Sequence, residues 1–166
     1  MLPTFFCPHC WHELQKEVPI CPHCGEPLAS WGKKAYTDKL RQALVHPEPQ
    51  TQRRAVYLLG EKQIKEAIDD LVALFHRTRD PLLAGEVVRA LRKIGSKPTF
   101  QALAEALFHP SFIVRAEGVE ALASFPTEQI VPLLLQRALQ DSSPSVRAAA
   151  RRVLESRKRV QLLIIC

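Results

Sequence analysis

Apolar side chains recur with helical spacing through most of the chain beyond residue 36. In one segment they follow the i, i+4, i+7, i+8, i+11 spacing of a single buried helical stripe, at Val114, Gly118, Ala121, Leu122 and Phe125. The same stripe occurs one unit earlier at Leu83, Val87, Ala90, Leu91 and Ile94. Further apolar stretches at roughly 64–75, 98–108 and 127–139 predict a second helix in each of three units. Pro132 falls inside the last stretch, where we expect a kink.

Two sequence markers repeat with a common period. An Ala-Leu pair recurs at intervals of 30, 33 and 32 residues, as Ala43-Leu44, Ala73-Leu74, Ala106-Leu107 and Ala138-Leu139. A second segment begins after each pair, at residues 51, 83, 114 and 146. A helix pair this short leaves an apolar face open until a neighbour covers it, so the pattern predicts a mainly α fold in which helical hairpins stack into a solenoid.

The two ends of the repeat array differ from its interior. Residues 36–45 match only the second helix of a unit and are expected to cap the stack. Leu162 and Leu163 align with Ile130 and Val131, which places residues 160–166 at the start of a truncated second helix. Arg151 stands where the other units have a valine: Val56, Val88 and Val119. This is expected if the first-helix side of the stack ends there in water.

His46, His76 and His109 share a marker position and are expected to cap helix ends. One repeat, about 10 Å, separates them from one another, which is too far for them to share an ion.

The cysteines are concentrated near the N-terminus with the spacing C-x2-C-x10-C-x2-C, at Cys7, Cys10, Cys21 and Cys24. Two CxxC pairs can present four thiolates to one tetrahedral Zn²⁺, and the metal would supply the folding free energy that so small a core lacks. A redox CxxC pair and a tetrahedral iron site are the alternatives. Gly25 suits a turn with positive φ, whereas Trp11 holds that place after the first pair, so we expect two unequal halves.

Histidines near the cysteines are candidate substitute ligands. They are His9, His12 and His23. His9 and His23 lie between cysteines that already complete a set of four, and we expect them to be exposed.

The segment FCPHCWHELQKEVPICPHCGEPL resembles the short zinc ribbons whose usual pattern is CPxCG, about ten residues, then CPxCG. It departs from that pattern at Trp11. The resemblance implies a structural or binding module without catalysis.

The repeats resemble HEAT-like repeats of the phycobilisome-lyase class, most closely at Val114-Arg115-Ala116 and Val146-Arg147-Ala148. The resemblance implies that second helices line an inner surface. It also implies an ion pair between this arginine and an acid a few positions earlier, which Asp141 and Arg147 can form, whereas His109 stands in the acid's place before Arg115.

Composition adds modest limits. The 166 residues are 46% hydrophobic and 24% charged, with a formal net charge of +6, as in a globular chain with a mild preference for acidic partners. The sequence shows no run long enough to span a membrane and no signal segment, so we expect a cytoplasmic protein. It shows no nucleophile-base pair and no phosphate-binding loop, so we expect no enzyme and no small-molecule substrate.

These observations predict three regions: a zinc ribbon at residues 1–30, a linker with a capping helix at 31–46, and HEAT-like repeats at 47–166. The predicted function is a non-enzymatic zinc-binding adaptor or scaffold for a protein partner. The apolar residues Leu162, Leu163, Ile164 and Ile165 are candidate contacts.

The alternative is nucleic-acid or ribonucleoprotein binding through the ribbon and a basic last helix, at Arg147, Arg151, Arg152, Arg157, Lys158 and Arg159. A minor alternative, from the repeat class alone, is a lyase-type or chaperone subunit that acts on a pigment protein.

Overall fold

The structure is a computed structural model. It describes the backbone of residues 5–165 and the side chains of residues 6–157. The N-terminal part, here called the cysteine module (residues 5–33), contains an antiparallel pair of two-residue strands, β1 (Phe5–Phe6) and β2 (Glu13–Leu14). A 3-10 turn, Leu28–Lys33, closes the module.

The rest of the described chain is helical. The helices are α1 (Tyr36–Ala43), α2 (Pro49–Glu61), α3 (Ile68–Arg77), α4 (Pro81–Ile94), α5 (Thr99–Ala106), α6 (Phe112–Leu122), α7 (Thr127–Gln140) and α8 (Pro144–Ile165). The second helices predicted from the pattern correspond to α3, α5 and α7. α7 is continuous through Pro132.

Helix ends follow from local sequence. The Glu48 carboxylate accepts hydrogen bonds from the first N–H groups of α2, and Asp80 does the same for α4. Proline occupies the first position of both helices, where a missing N–H costs nothing. Gly95 ends α4 with a φ of 61°, the left-handed conformation that favours glycine.

The helices form two layers. The first-helix layer contains α2, α4, α6 and α8, and each packs extensively on the next. The second-helix layer contains α1, α3, α5 and α7, and each packs on the first helix that follows it in the chain. One continuous core runs through the stack from Leu40 to Val153. The arrangement is the α-solenoid that the repeat period predicts.

The predicted stripes form this core. In α4 the five stripe residues are all at most 5% exposed. In α6, Gly118 lies against α5, where an added Cβ would be 3.1 Å from the Ala106 Cβ. Gly118 therefore lies at a close contact between α6 and α5.

The C-terminal prediction is wrong in one respect. Residues 160–165 do not begin a second helix of a truncated unit, because α8 is one helix from Pro144 to Ile165. The connections that follow α4 and α6 contain Gly95 and Pro126, whereas residues 155–160 contain neither glycine nor proline. Nothing in the local sequence stops α8 where α4 and α6 stop.

None of the helices in the described part of the chain combines the length and apolar character needed to cross a membrane.

Candidate metal centre and repeat surfaces

The four N-terminal cysteines converge on one point. Their Sγ atoms all lie within 4.8 Å of one another. Two of the separations are 3.8 Å, between Cys7 and Cys24 and between Cys10 and Cys21. Each of these pairs joins the two CxxC motifs, so both motifs contribute to a single site. Four sulfurs this close can hold one metal ion.

The two CxxC turns have the same backbone conformation. The Trp11 N–H donates to the Cys7 carbonyl at 2.8 Å, and the Gly25 N–H donates to the Cys21 carbonyl at 2.9 Å. Trp11 has a φ of 61° and Gly25 a φ of 75°. The expectation of two unequal halves is therefore wrong for the backbone: the tryptophan adopts the left-handed conformation that glycine adopts in the second turn.

The thiols differ in acidity. Burial raises the pKa of Cys10 to about 12. The Cys24 backbone N–H donates to Cys21 and lowers the pKa of Cys21 to about 7. Crowded sulfurs with such different pKa values do not all ionise together near neutral pH unless a cation compensates their charge.

The neighbouring histidines lie outside the sulfur cluster. His9 was expected to be exposed but is only 7% exposed, because its ring packs edge-on against Trp31 at 5.5 Å and its Nε2 lies 3.2 Å from the Pro27 carbonyl oxygen. His12 and His23 are exposed and stack on each other at 4.4 Å. Among the described residues, the group that could hold a metal ion consists of the four cysteines alone.

Aromatic contacts attach the cysteine module to the helical stack. Trp11 lies between Trp31, at 5.9 Å, and His46 in the turn before α2, at 4.2 Å. The Gln42 side chain of α1 donates to the His9 carbonyl. Sequence reasoning missed this joint, although the unusual tryptophan in a glycine position was the available signal.

One side chain in each inter-unit turn performs the same structural role. It accepts the backbone N–H two residues later, and it is His46, Thr78, His109 and Asp141 in successive turns. His76 was expected to share this position with His46 and His109, and that assignment is wrong. The second unit places two more residues between the Ala-Leu marker and the turn, so Thr78 takes the role. His76 instead lies 3.4 Å from Glu105.

A second side chain forms a hydrogen bond with the backbone of the turn in three of the units. Gln52, Arg115 and Arg147 hold equivalent positions and donate to the carbonyls of His46, His109 and Asp141. The expected ion pair between Arg147 and Asp141 is not formed, since Arg147 contacts only the Asp141 backbone oxygen in these bonds. The Asp141 carboxylate pairs with Arg115 of the preceding unit instead, through two hydrogen bonds of 2.8 Å. This pair is buried: the side chains are 10% and 1% exposed.

Comparison with protein families agrees with this geometry. The family model for HEAT repeats matches residues 37–111 and 100–163. The chain belongs to the HEAT-repeat family. No curated protein matches the chain. The family match is to HEAT repeats in general, so the phycobilisome-lyase class stays a prediction.

Most described residues of the expected basic cluster make contacts within the HEAT stack. Arg147 binds the turn before α8, Arg152 lies 3.3 Å from Glu120, and Arg157 donates to the carbonyls of Ala123 and Phe125 at the end of α6. Arg151 is exposed. The side chains of Lys158, Arg159, Leu162, Leu163, Ile164 and Ile165 lie outside the described part of the chain.

The solvent face of the first-helix layer carries two grooves. The groove between α2 and α4 measures about 240 Å³ and is lined by Tyr57 with Arg53, Glu86, Arg89, Ala90 and Lys93. The groove between α6 and α8 measures about 410 Å³, and its lining includes Ala116, Ala148 and Ala149 between charged residues. Ion pairs join successive helices along this face: Arg53–Asp80, Arg89–Glu117 and Arg152–Glu120.

Proposed function

We propose that this protein is a non-enzymatic adaptor: a zinc-stabilised module fixed to a short HEAT stack that binds a protein partner. The observation that carries the proposal is the pair of grooves on the first-helix layer. Solenoid proteins bind partners along surfaces that successive repeats build together, and each groove lies between the first helices of successive units. A cytoplasmic location stays a prediction.

Zinc is the metal that suits the four sulfurs best. A tetrahedral Zn²⁺ with Zn–S distances of about 2.3 Å requires sulfur separations of about 3.8 Å. Two of the separations across the cluster are 3.8 Å. Four thiolate ligands leave no open coordination position, which is typical of a structural site. Cys7, Cys10, Cys21 and Cys24 would hold the ion, and its role would be to fix the module against α1.

The groove between α6 and α8 suits a partner's side chains. Its alanines allow close approach, and Glu117, Glu120 and Arg152 line it. The groove between α2 and α4 adds the exposed ring of Tyr57, which is 54% exposed, among three cations and one carboxylate. Aromatic residues and arginine are common at the centres of protein interfaces. A protein segment with charges of both signs therefore fits this face.

Affinity isolation of the intact protein from its native cell tests the proposal. Ala148→Trp fills the α6–α8 groove from an exposed position, so we expect recovery of the partner to fall at least about tenfold, as for loss of about 1.4 kcal/mol. Ala73→Trp, at an exposed position of α3 in the second-helix layer, is the matched control and should leave recovery unchanged. Equal recovery with both variants would exclude the groove as the binding site.

A second candidate is single-stranded nucleic acid, bound at the joint between module and stack. The ammonium groups of Lys34 and Lys39 lie 5.5 and 5.9 Å from the Trp31 ring centre. Nearby, Lys62 lies 5.7 Å from the ring centre of Tyr36, which is 55% exposed. Aromatic rings among lysines are the usual platform for stacked bases. This cluster supports the candidate better than the C-terminal arginines, three of which make contacts within the stack.

Quenching of tryptophan fluorescence by oligo(dT) at several salt concentrations tests this candidate. Lys34→Glu with Lys39→Glu should abolish most of the binding, and each lysine lost should reduce the salt slope by about 0.7. Arg151→Glu, at the other end of the molecule, should not change it. Salt-insensitive binding, or no quenching by the native protein, would eliminate this candidate.

A further inference from the structure

The groove between α2 and α4 has room for one long side chain. Its volume is about 240 Å³, below the roughly 300–1,000 Å³ of pockets that enclose a whole small molecule. Tyr57 lines the groove and is 54% exposed, whereas Ala90 is 3% exposed and leaves space between the longer side chains. An exposed aromatic ring beside a small residue can pack against the aliphatic part of a long, charged side chain.

The cations that line this groove are already paired. Each forms an ion pair with a carboxylate of another helix or of a helix N-cap. The pairs are Arg53–Asp80, Arg89–Glu117 and Lys93–Glu61. Within the described part of the chain, these charges balance one another, so the cations do not give the groove an excess of positive charge.

Glu86 is the lining residue whose charge is poorly compensated. Among the described residues, its Oε2 is buried and has no hydrogen-bond partner. Its Oε1 lies 3.8 Å from Arg53, beyond hydrogen-bond distance, and that guanidinium already donates to Asp80 at 2.7 Å. The Glu86 side chain is 29% exposed, and rotation of its carboxylate exchanges the two oxygens. A donor that enters the groove can therefore reach this carboxylate.

An acidic side chain fits the groove less well. To contact Arg53, Arg89 or Lys93, it would have to compete with the carboxylate that each of them already holds. It would also lie beside the negative charge of Glu86, and like charges placed side by side oppose binding. The sign of the uncompensated charge therefore selects a cation.

We propose that the groove between α2 and α4 binds an arginine side chain of the protein partner. This inference rests on the proposed adaptor function and names the chemistry that one of its grooves recognises. The guanidinium would donate to the Glu86 carboxylate, and the planar group with its aliphatic stem would pack against the Tyr57 ring and the Ala90 methyl group. Arginine suits both contacts because its fork of N–H donors matches a carboxylate and its flat face stacks on aromatic rings.

Titration of the ¹⁵N-labelled full-length chain with two blocked tripeptides, followed by NMR at low salt, tests the charge that the groove accepts. The probes are acetyl-Ala-Arg-Ala-amide and acetyl-Ala-Glu-Ala-amide, which differ in the sign of one charge. We expect the arginine probe to shift the amide signals of residues 53–57 and 86–93, and the glutamate probe to leave them in place. Shifts produced there by the glutamate probe, or none produced by the arginine probe up to its solubility limit, would overturn the proposal.

Substitutions then test the contacts of the arginine probe. Glu86→Gln retains the shape of the side chain but removes its charge, and should weaken binding about threefold or more, as for a partly exposed ion pair. Lys93→Gln removes a like charge from the groove and should strengthen binding. Glu128→Gln is the matched control, because Glu128 is exposed in the first turn of α7, and it should not change the affinity. Equal affinity of Glu86→Gln and the native chain, or weaker binding by Lys93→Gln, would refute an arginine site.

Affinity isolation separates failure of this site from failure of the adaptor function. If Ala148→Trp reduces recovery of a partner but Glu86→Gln does not, the adaptor function holds and the arginine site is refuted. If the tripeptide binds as expected but the native protein recovers no partner, the groove is an arginine site and the adaptor function fails. Reduced recovery with both variants supports the two proposals together.

Discussion

At the residue scale, several side chains of different type adopt one conformation or perform one role. Trp11 has the left-handed backbone of Gly25. Histidine, threonine and aspartate each accept the same turn N–H in successive units. A glutamine in one unit makes the backbone hydrogen bond that an arginine makes in two others. What each position requires is an acceptor, a donor or a backbone conformation, and more than one residue type satisfies that requirement.

His109 makes the stability of the stack depend on pH. Burial and the nearby positive charge of Arg115 lower its pKa below the usual 6.5. The folded protein therefore binds this proton less readily than the unfolded chain, so the stabilisation is complete above about pH 6.5 and decreases as pH falls through that value. We expect the free energy of unfolding to fall between pH 7.5 and 5.5, and to fall less in His109→Asn, which retains an acceptor. Urea titrations at the two pH values measure the difference. Equal pH dependence in both proteins would contradict this role.

Arg115 connects two units through its buried pair with Asp141. Arg115→Ala removes two hydrogen bonds from a carboxylate that is 1% exposed and leaves it Arg137 at 3.5 Å, so we expect a loss of about 1.5–3 kcal/mol, below the cost of an unpaired buried charge. Arg152→Ala is the control, because its pair with Glu120 is 66% and 41% exposed and should contribute less than about 1 kcal/mol. Urea denaturation of both variants gives the comparison. Similar small losses would show that the buried pair does not hold the units together.

At the element scale, small residues set the spacing between the first helices. An added Cβ on Gly60 of α2 would lie 2.8 Å from the Ala90 Cα of α4. Gly85, within α4, has open space by comparison, since its added Cβ would meet nothing nearer than 3.8 Å. Helix propensity favours alanine at both positions, so packing alone distinguishes them.

Gly60→Ala and Gly85→Ala should therefore change stability in opposite directions. We expect Gly60→Ala to destabilise the protein by about 1–3 kcal/mol, because two helix backbones must separate. Gly85→Ala should stabilise it by up to about 1 kcal/mol through helix propensity. Thermal or urea unfolding measures both. A stabilising effect of Gly60→Ala would mean that α2 and α4 can move apart at little cost.

At the scale of the whole molecule, the cysteine module and the helical stack have separate cores. The module core contains Cys7, Leu14 and Cys21, whereas the stack core begins at Leu40. The module core is too small to fold unaided, so its structure should depend on metal. The stack has one continuous core from Leu40 to Val153, so we expect it to fold without the metal.

Metal removal should consequently unfold one part and leave the other intact. Both tryptophans of the chain, Trp11 and Trp31, lie in the module. A strong zinc chelator in reducing buffer should shift tryptophan emission to longer wavelength while the helical circular dichroism signal changes little. Cys21→Ser should reproduce the chelated state and reduce bound zinc from about one ion per chain to none. Loss of most of the helical signal on chelation would show that the stack needs the module.

Local patterns predicted much of this arrangement. The CxxC spacing predicted the sulfur cluster, and the apolar stripes predicted the helices and their buried faces. The turn side chain of the second unit was assigned to His76, whereas Thr78 holds that position. The second unit has two additional residues before the turn, and no local pattern shows them. The burial of His9 and the pairing of Arg115 with Asp141 were missed, since each depends on a residue at least 18 positions away.

Local sequence is enough to specify the elements. Periodic apolar positions specify helices, proline, glycine and capping carboxylates specify several of their ends, and paired cysteines specify turns that can present thiols to a metal, because all of these act over a few residues. How the elements meet depends on tertiary packing. The docking of Trp11 on His46, the contact between Gly60 and Ala90, and the exposure of Leu139 depend on how units stack. The same repeat position is 0% exposed at Leu107 and 71% exposed at Leu139, so the residue type alone does not decide its burial.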